Sequence, residues 1–142
     1  MIVEASLEIA APVGRIWETV ADLSSWYRWN SVLRGVAYRG DAHLTPGTTF
    51  TCTIQPFRVP IPCAAVVTDA QPPTYVVWES RMPGITARHT FLCEEGYRQV
   101  RVISRTQFHG PAVRAAGPFF PAWRIRALSV ALLRDLKAAA EG

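Results

Sequence analysis

Hydrophobic positions along this chain follow two periods. From Pro121 to Ala140 the period is helical: Ile125, Leu128, Leu132, Leu136 and Ala139 fall within about 100° on a wheel, opposite Arg126, Arg134 and Lys137. That pattern predicts one long helix with a single buried face. Nearly everything before it alternates with period two. Val3, Ala5, Leu7 and Ile9 alternate with Glu4, Ser6 and Glu8, predicting a strand that ends at Ala11-Pro12. Pro12 then opens a short amphipathic helix carrying Val13, Ile16, Trp17 and Val20 on one side.

Further strands are predicted at Val32 to Arg39, Thr48 to Ile54, Cys63 to Ala70, Tyr75 to Met82, Ile85 to Glu94 and Val100 to His109. They are separated by turn residues such as Gly40-Asp41, Gln71-Pro72-Pro73, Pro83-Gly84 and Glu95-Gly96. With the first strand that makes seven. Because strand follows strand through short turns, the sheet should be antiparallel, curving around the terminal helix with its other face in water. The fold class is therefore α+β, and residues 1–142 read as one domain.

Alternation sorts the strands by face. Phe50, Cys52 and Ile54 point inward, as do Val76, Trp78 and Met82, then Ala87, His89, Phe91 and Cys93, and finally Val100, Val102, Ser104, Thr106 and Phe108. Glu79, Arg81, Arg88, Arg101 and Arg105 form a charged outer face. Trp26, Tyr27 and Trp29 read as a hydrophobic plug closing one end of the sheet, with Trp29 the ring expected also to line a cavity. The stretch from His109 to Pro121, rich in Gly, Pro and small residues, reads as a loop that could move as a lid.

Composition narrows the function classes. The chain of 142 residues is 49% hydrophobic and 18% charged, ample for a core without staples. Cys52, Cys63 and Cys93 are far apart inside apolar runs, which reads as three buried reduced thiols. With no secretory leader and no apolar run of membrane-spanning length, the expectation is a cytoplasmic protein without stable membrane insertion. The net charge of +4 is spread over scattered arginines, so nucleic acid is not an expected partner, although a weak pull toward anionic ligands or surfaces remains. His43, His89 and His109 lack metal-ligand spacing, and no nucleophile elbow or dinucleotide fingerprint is present, so no metal or cofactor is expected.

Taken together, the opening strand, Ala11-Pro12, Val13-x-x-x-Trp17, Val20, Asp22 and Trp29 resemble the start of polyketide cyclase/dehydrase and lipid transport proteins of the START-like (SRPBCC, Bet v 1-like) superfamily. The resemblance continues through Pro72-Pro73, Val77-Trp78, His89-Thr90-Phe91, Phe108-His109-Gly110 and the terminal helix, covering nearly the whole chain. It implies the helix-grip fold: a seven-stranded antiparallel sheet around the C-terminal helix, two short helices after the first strand, and an apolar cavity between them. It also implies a hydrophobic ligand and, in some members, cyclisation or dehydration. Where members often carry a carboxylate, this chain has Thr106-Gln107.

For such chemistry a base, a carbonyl-polarising donor and shaping walls are needed. His89 is the candidate acid/base; its alternative is a histidine hydrogen-bonded inside the sheet. Ser104, Thr106 and Ser129 are candidate hydroxyls, each alternatively a packed, self-satisfied group. Trp29, Phe50, Trp78, Phe91, Phe108, Phe119, Phe120 and Trp123, with Leu128 and Leu132 from the helix, are the candidate walls. Two readings follow: a binder of a polyketide-like or aromatic molecule that promotes its cofactor-free cyclisation or dehydration, or a non-catalytic carrier or sensor of lipids or other hydrophobic ligands. Either suits a monomer or a homodimer.

Overall fold

The computed structural model describes all of residues 1–142. Strand β1 (Ile2–Ile9) leads into α1 (Val13–Ala21), a 3-10 turn (Leu23–Ser25) and the single-turn α2 (Trp26–Trp29). Then come β2 (Arg34–Tyr38), β3 (Thr49–Ile54), β4 (Ile61–Gln71), β5 (Tyr75–Met82), β6 (Ile85–Glu95) and β7 (Val100–His109). The chain ends with α3 (Pro111–Ala116), a 3-10 turn (Gly117–Phe119) and α4 (Ala122–Glu141). Every strand pair is antiparallel, in the order β1-β7-β6-β5-β4-β3-β2.

The sheet curves, and its concave face holds α4. Register breaks between Arg34 and Ala37 and between Val67 and Asp69 each mark an irregularity of the kind that sharpens local twist and bend. The helix is moored to the first strand through polar ends on an apolar seam: Arg126 Nε donates to the Glu4 carbonyl at 3.3 Å and Lys137 Nζ to the Glu8 carbonyl at 3.2 Å. Asp135 accepts from the Ser31 N–H at 2.9 Å and the Ser31 hydroxyl at 2.7 Å, tying α4 to the segment before β2.

The expected helical stripe is present but rotated. The buried residues of α4 are Ser129, Leu132, Leu133, Leu136 and Ala140, whereas Ile125 and Leu128 are half-buried. The physical reason is that Leu133 and Ala140 join the main core, while the Ile125–Leu128 flank faces an internal space.

One expectation is corrected outright. The segment after β7 is not an open loop, because Pro111–Ala116 forms α3. Pro111 occupies the first turn, where its missing N–H costs nothing. Gly110, at φ 122°, lets the chain pass so close to β6 that a Cβ there would lie 2.6 Å from the Gly84 carbonyl oxygen. The Ala112 N–H donates to that same oxygen at 3.1 Å, seating α3 across the β5–β6 turn.

Candidate functional site

Between the concave face and α4 lies a cavity of about 320 Å³. Its floor follows directly from strand register. Cys52 faces Cys63, Ser80 faces Ala87 and Ala87 faces Phe108, while one row along Trp78 faces His89 and His89 faces Thr106. Ile125, Leu128, Ser129 and Leu132 of α4 form the roof. Ala112 and Ala116 of α3 with Phe120 close one side, and Pro56 and Phe57 from the β3–β4 turn close another.

Polar groups are few, and two hydroxyls flank the imidazole of His89. His89 Nδ1 lies 2.9 Å from Thr106 Oγ1, and Ser104 Oγ lies 3.5 Å from His89 Nε2. The imidazole stacks on Trp78, centroids 4.4 Å apart. Desolvation in this apolar setting pulls the His89 pKa from 6.5 to about 4, so the ring is neutral near pH 7. What exposure it retains faces the cavity. Ser129 Oγ donates to the Ile125 carbonyl at 3.2 Å, the back-bonded arrangement that leaves its lone pairs available to the cavity.

The sulfur pair on the floor is the other chemically distinct feature. The Cys52 S–H stands beside the Cys63 sulfur, which holds Cys63 below the usual thiol range and Cys52 well above it; burial raises both. Cys93, on the far part of β6, is pushed up to about 11 by burial alone. All three cysteines are buried free thiols. No group of three or more His, Cys, Asp or Glu is arranged to hold a metal ion.

The structure brings together His89, Phe50, Trp78, Thr106, Phe108, Phe120, Leu128, Ser129 and Leu132 on one wall system. Five candidates lie elsewhere. Phe91 stacks behind Trp78 at 6.4 Å, beyond the end of the cavity. Ser104 is fully buried behind His89. Trp29 is half-buried against the core, its indole edge against the Trp26 ring at 6.4 Å. Phe119 and Trp123 point away into solvent, 89% and 68% exposed. The sequence reading did not place Cys63, Ser80, Ala112 or Ala116 at the cavity, where all four are found. Ser80 had a usable signal, since it lies between Trp78 and Met82 on the inward face; α3 had none beyond Pro111.

Over residues 1–141 the sequence matches the family described as polyketide cyclase/dehydrase and lipid transport. The chain belongs to that family. Among solved structures, the protein TTHA0849 from Thermus thermophilus superimposes with a TM-score of 0.82 at 12% identity, covering 99% of this chain and 97% of that one. The Zhui aromatase/cyclase from Streptomyces sp. R1128 gives 0.80 at 16% identity, covering 99% and 93%. DynU16, a protein of the dynemicin biosynthetic locus, gives 0.75 at 15% identity, covering 99% of this chain but 47% of its own. At these identities the likeness establishes a shared helix-grip architecture. No curated protein matches the sequence.

Proposed function

We propose that this protein binds a flat, largely apolar small molecule carrying a carbonyl or hydroxyl group in the cavity beneath α4. The observation that carries the reading is the composition of the wall: 19 of its 25 residues are hydrophobic, and its only polar side chains are His89, Thr106, Ser80 and Ser129. Aromatic faces at Phe50, Trp78, Phe108 and Phe120 reward planar apolar surface, and the few polar groups fix orientation. Hydroxyls both donate and accept, so Ser80, Thr106 and Ser129 suit a ligand oxygen or hydroxyl, with the neutral His89 ring anchoring the Thr106 hydroxyl. The family and the aromatase/cyclase likeness favour a polyketide or another aromatic metabolite as the chemical class.

A second reading adds cofactor-free cyclisation or dehydration, with His89 taking a proton from an acidic C–H while Thr106 or Ser129 polarises a carbonyl. The aromatase/cyclase likeness favours it. Against it, a histidine at about 4 is a weak base near neutral pH, and both ring nitrogens already face hydroxyls. Simple binding, as a carrier or sensor of lipids or other hydrophobic ligands, therefore leads.

Native mass spectrometry of protein purified from its own host tests the binding reading, because a retained mass names the ligand class. A protein that retains nothing and takes up no planar apolar probe would overturn it. For catalysis, His89→Ala should abolish turnover while leaving affinity within about tenfold; unchanged turnover removes His89 from the chemistry.

A further inference from the structure

Phe119 and Trp123 are large aromatics that neither the core nor the cavity absorbs. They are not isolated. The Arg124 guanidinium lies 4.6 Å from the Trp123 ring centroid and 5.4 Å from that of Phe57, so the start of α4 and the β3–β4 turn form one surface. Val59 on the same turn is 70% exposed. Phe57 both lines the cavity and is half exposed, which places the cavity's opening within this aromatic rim.

Charge is distributed to match. The β3–β4 turn, the β5–β6 turn and the β7–α4 connection lie at one end of the antiparallel sheet. Residues 55–60, 83–84 and 110–121 contain no Asp or Glu, while Arg58, Arg114 and Arg124 around the rim are all exposed. The nearest carboxylate along β1, Glu4, is already paired with Arg105 at 3.2 Å. The opposite end mixes signs: Glu8, Asp69, Glu94 and Glu95 stand with Arg98 and Arg101, and Glu141 is paired with Lys137 at 2.6 Å. The unopposed positive charge is therefore at the cavity mouth.

We propose that this rim docks the protein peripherally on an anionic lipid surface, Phe119 and Trp123 entering the interface and Arg58, Arg114 and Arg124 engaging headgroups. Exposed aromatic rings flanked by arginines are the side-chain set that partitions into a bilayer interface, and the cationic end orients the approach. Docked this way, the opening faces the lipid, so an apolar ligand passes between membrane and cavity without crossing water. The attachment is superficial, and no helix is long and apolar enough to span the bilayer.

The test is co-sedimentation with phosphatidylcholine vesicles, pure or with about one quarter phosphatidylglycerol. The wild type should sediment with the anionic vesicles, weakly with the neutral ones, and less as salt rises. Phe119→Ser/Trp123→Ser and, separately, Arg114→Glu/Arg124→Glu should each weaken sedimentation by about tenfold or more. Both variants should keep the wild-type melting temperature and the cavity's uptake of N-phenylnaphthylamine, an uncharged fluorophore, since none of these four side chains lines the cavity. Wild type that ignores anionic vesicles, or variants that bind them equally well, would overturn the proposal. So would a soluble dimer that the serine variant dissolves, which would make a second copy the occupant. Wild type that takes up the fluorophore yet ignores vesicles overturns docking alone, whereas vesicle binding without fluorophore uptake overturns the cavity reading and leaves docking standing.

Discussion

The imidazole of His89 lies flat on the indole of Trp78, with ring centroids 4.4 Å apart and planes 19° from parallel. The stack removes one face of the imidazole from water while Thr106 and Ser104 occupy its edges. A protonated ring would be poorly solvated there, which is why the pKa falls to about 4.

That shift makes stability depend on pH with a definite sign. In the unfolded chain His89 titrates near its ordinary value of about 6.5. Between that pH and about 4 the unfolded state binds a proton that the folded state refuses, so this contribution is present above pH 6.5 and lost as pH falls toward 4. The loss is on the order of 3 kcal/mol when complete. Urea unfolding of wild type and His89→Gln at pH 7 and near pH 4.5 should show the smaller pH dependence in the variant. Equal slopes would mean that His89 titrates in the fold as it does in the unfolded chain.

Trp26 and Trp29 are three residues apart and differ in one hydrogen bond. Trp26 is fully buried and its Nε1–H donates to the Val20 carbonyl at 2.8 Å; the Trp29 Nε1–H is buried with no partner. Trp26→Phe removes volume and orphans the Val20 carbonyl, so it should cost about 2–4 kcal/mol. Trp29→Phe removes an unsatisfied donor from a half-buried site and should cost about 1 kcal/mol or less. Denaturant midpoints of the two variants decide it, and equal losses would show that Trp29 has a partner after all.

How far such details can be read from sequence depends on the kind of contrast involved. Seven strands and a terminal helix follow from periodicity, because a residue on the wrong face of a half-buried strand is costly everywhere along it. Tyr75–Met82 and Val100–His109 fall at their expected bounds. Depth along a face is another matter. Phe91 and Ser104 have the inward parity of His89 and Thr106 yet lie past the cavity's end, since alternation encodes direction and says nothing of where α4 stops covering the sheet. Phe119 and Phe120 are chemically identical neighbours, and only the 3-10 turn at Gly117–Phe119 sends one outward and the other onto Phe108 at 5.3 Å. Local composition does not distinguish them.

Occupying the cavity from its roof should separate binding from folding. Leu128 is half-buried on the flank of α4 that faces the cavity, so Leu128→Trp can place its ring there without displacing the close-packed Leu133–Leu136 side. The change in helix propensity is only a few tenths of a kcal/mol. We expect the melting temperature to stay within about 5 °C and uptake of N-phenylnaphthylamine to fall by about tenfold or more. Undiminished uptake would place the apolar binding site outside this cavity.

Cys52 and Cys63 provide a chemical readout from the cavity floor. They face each other across β3 and β4, each 6% exposed, and the Cys52 S–H beside the Cys63 sulfur favours loss of the Cys63 proton. Once Cys63 is a thiolate, a second ionisation at Cys52 is strongly opposed by its neighbour's charge and by burial. The pair should therefore lose its first proton from Cys63 and withhold the one on Cys52. Replacing Cys52 with Ala removes the stabilising S–H while leaving burial in place, so Cys63 should move upward. Labelling with a small uncharged maleimide, followed peptide by peptide across a pH series, should show Cys63 reacting at lower pH in wild type than in Cys52→Ala. Cys93, alone and raised by burial to about 11, serves as the internal reference and should be unaffected. A Cys63 profile that does not respond to Cys52→Ala would show that the two thiols do not share a proton.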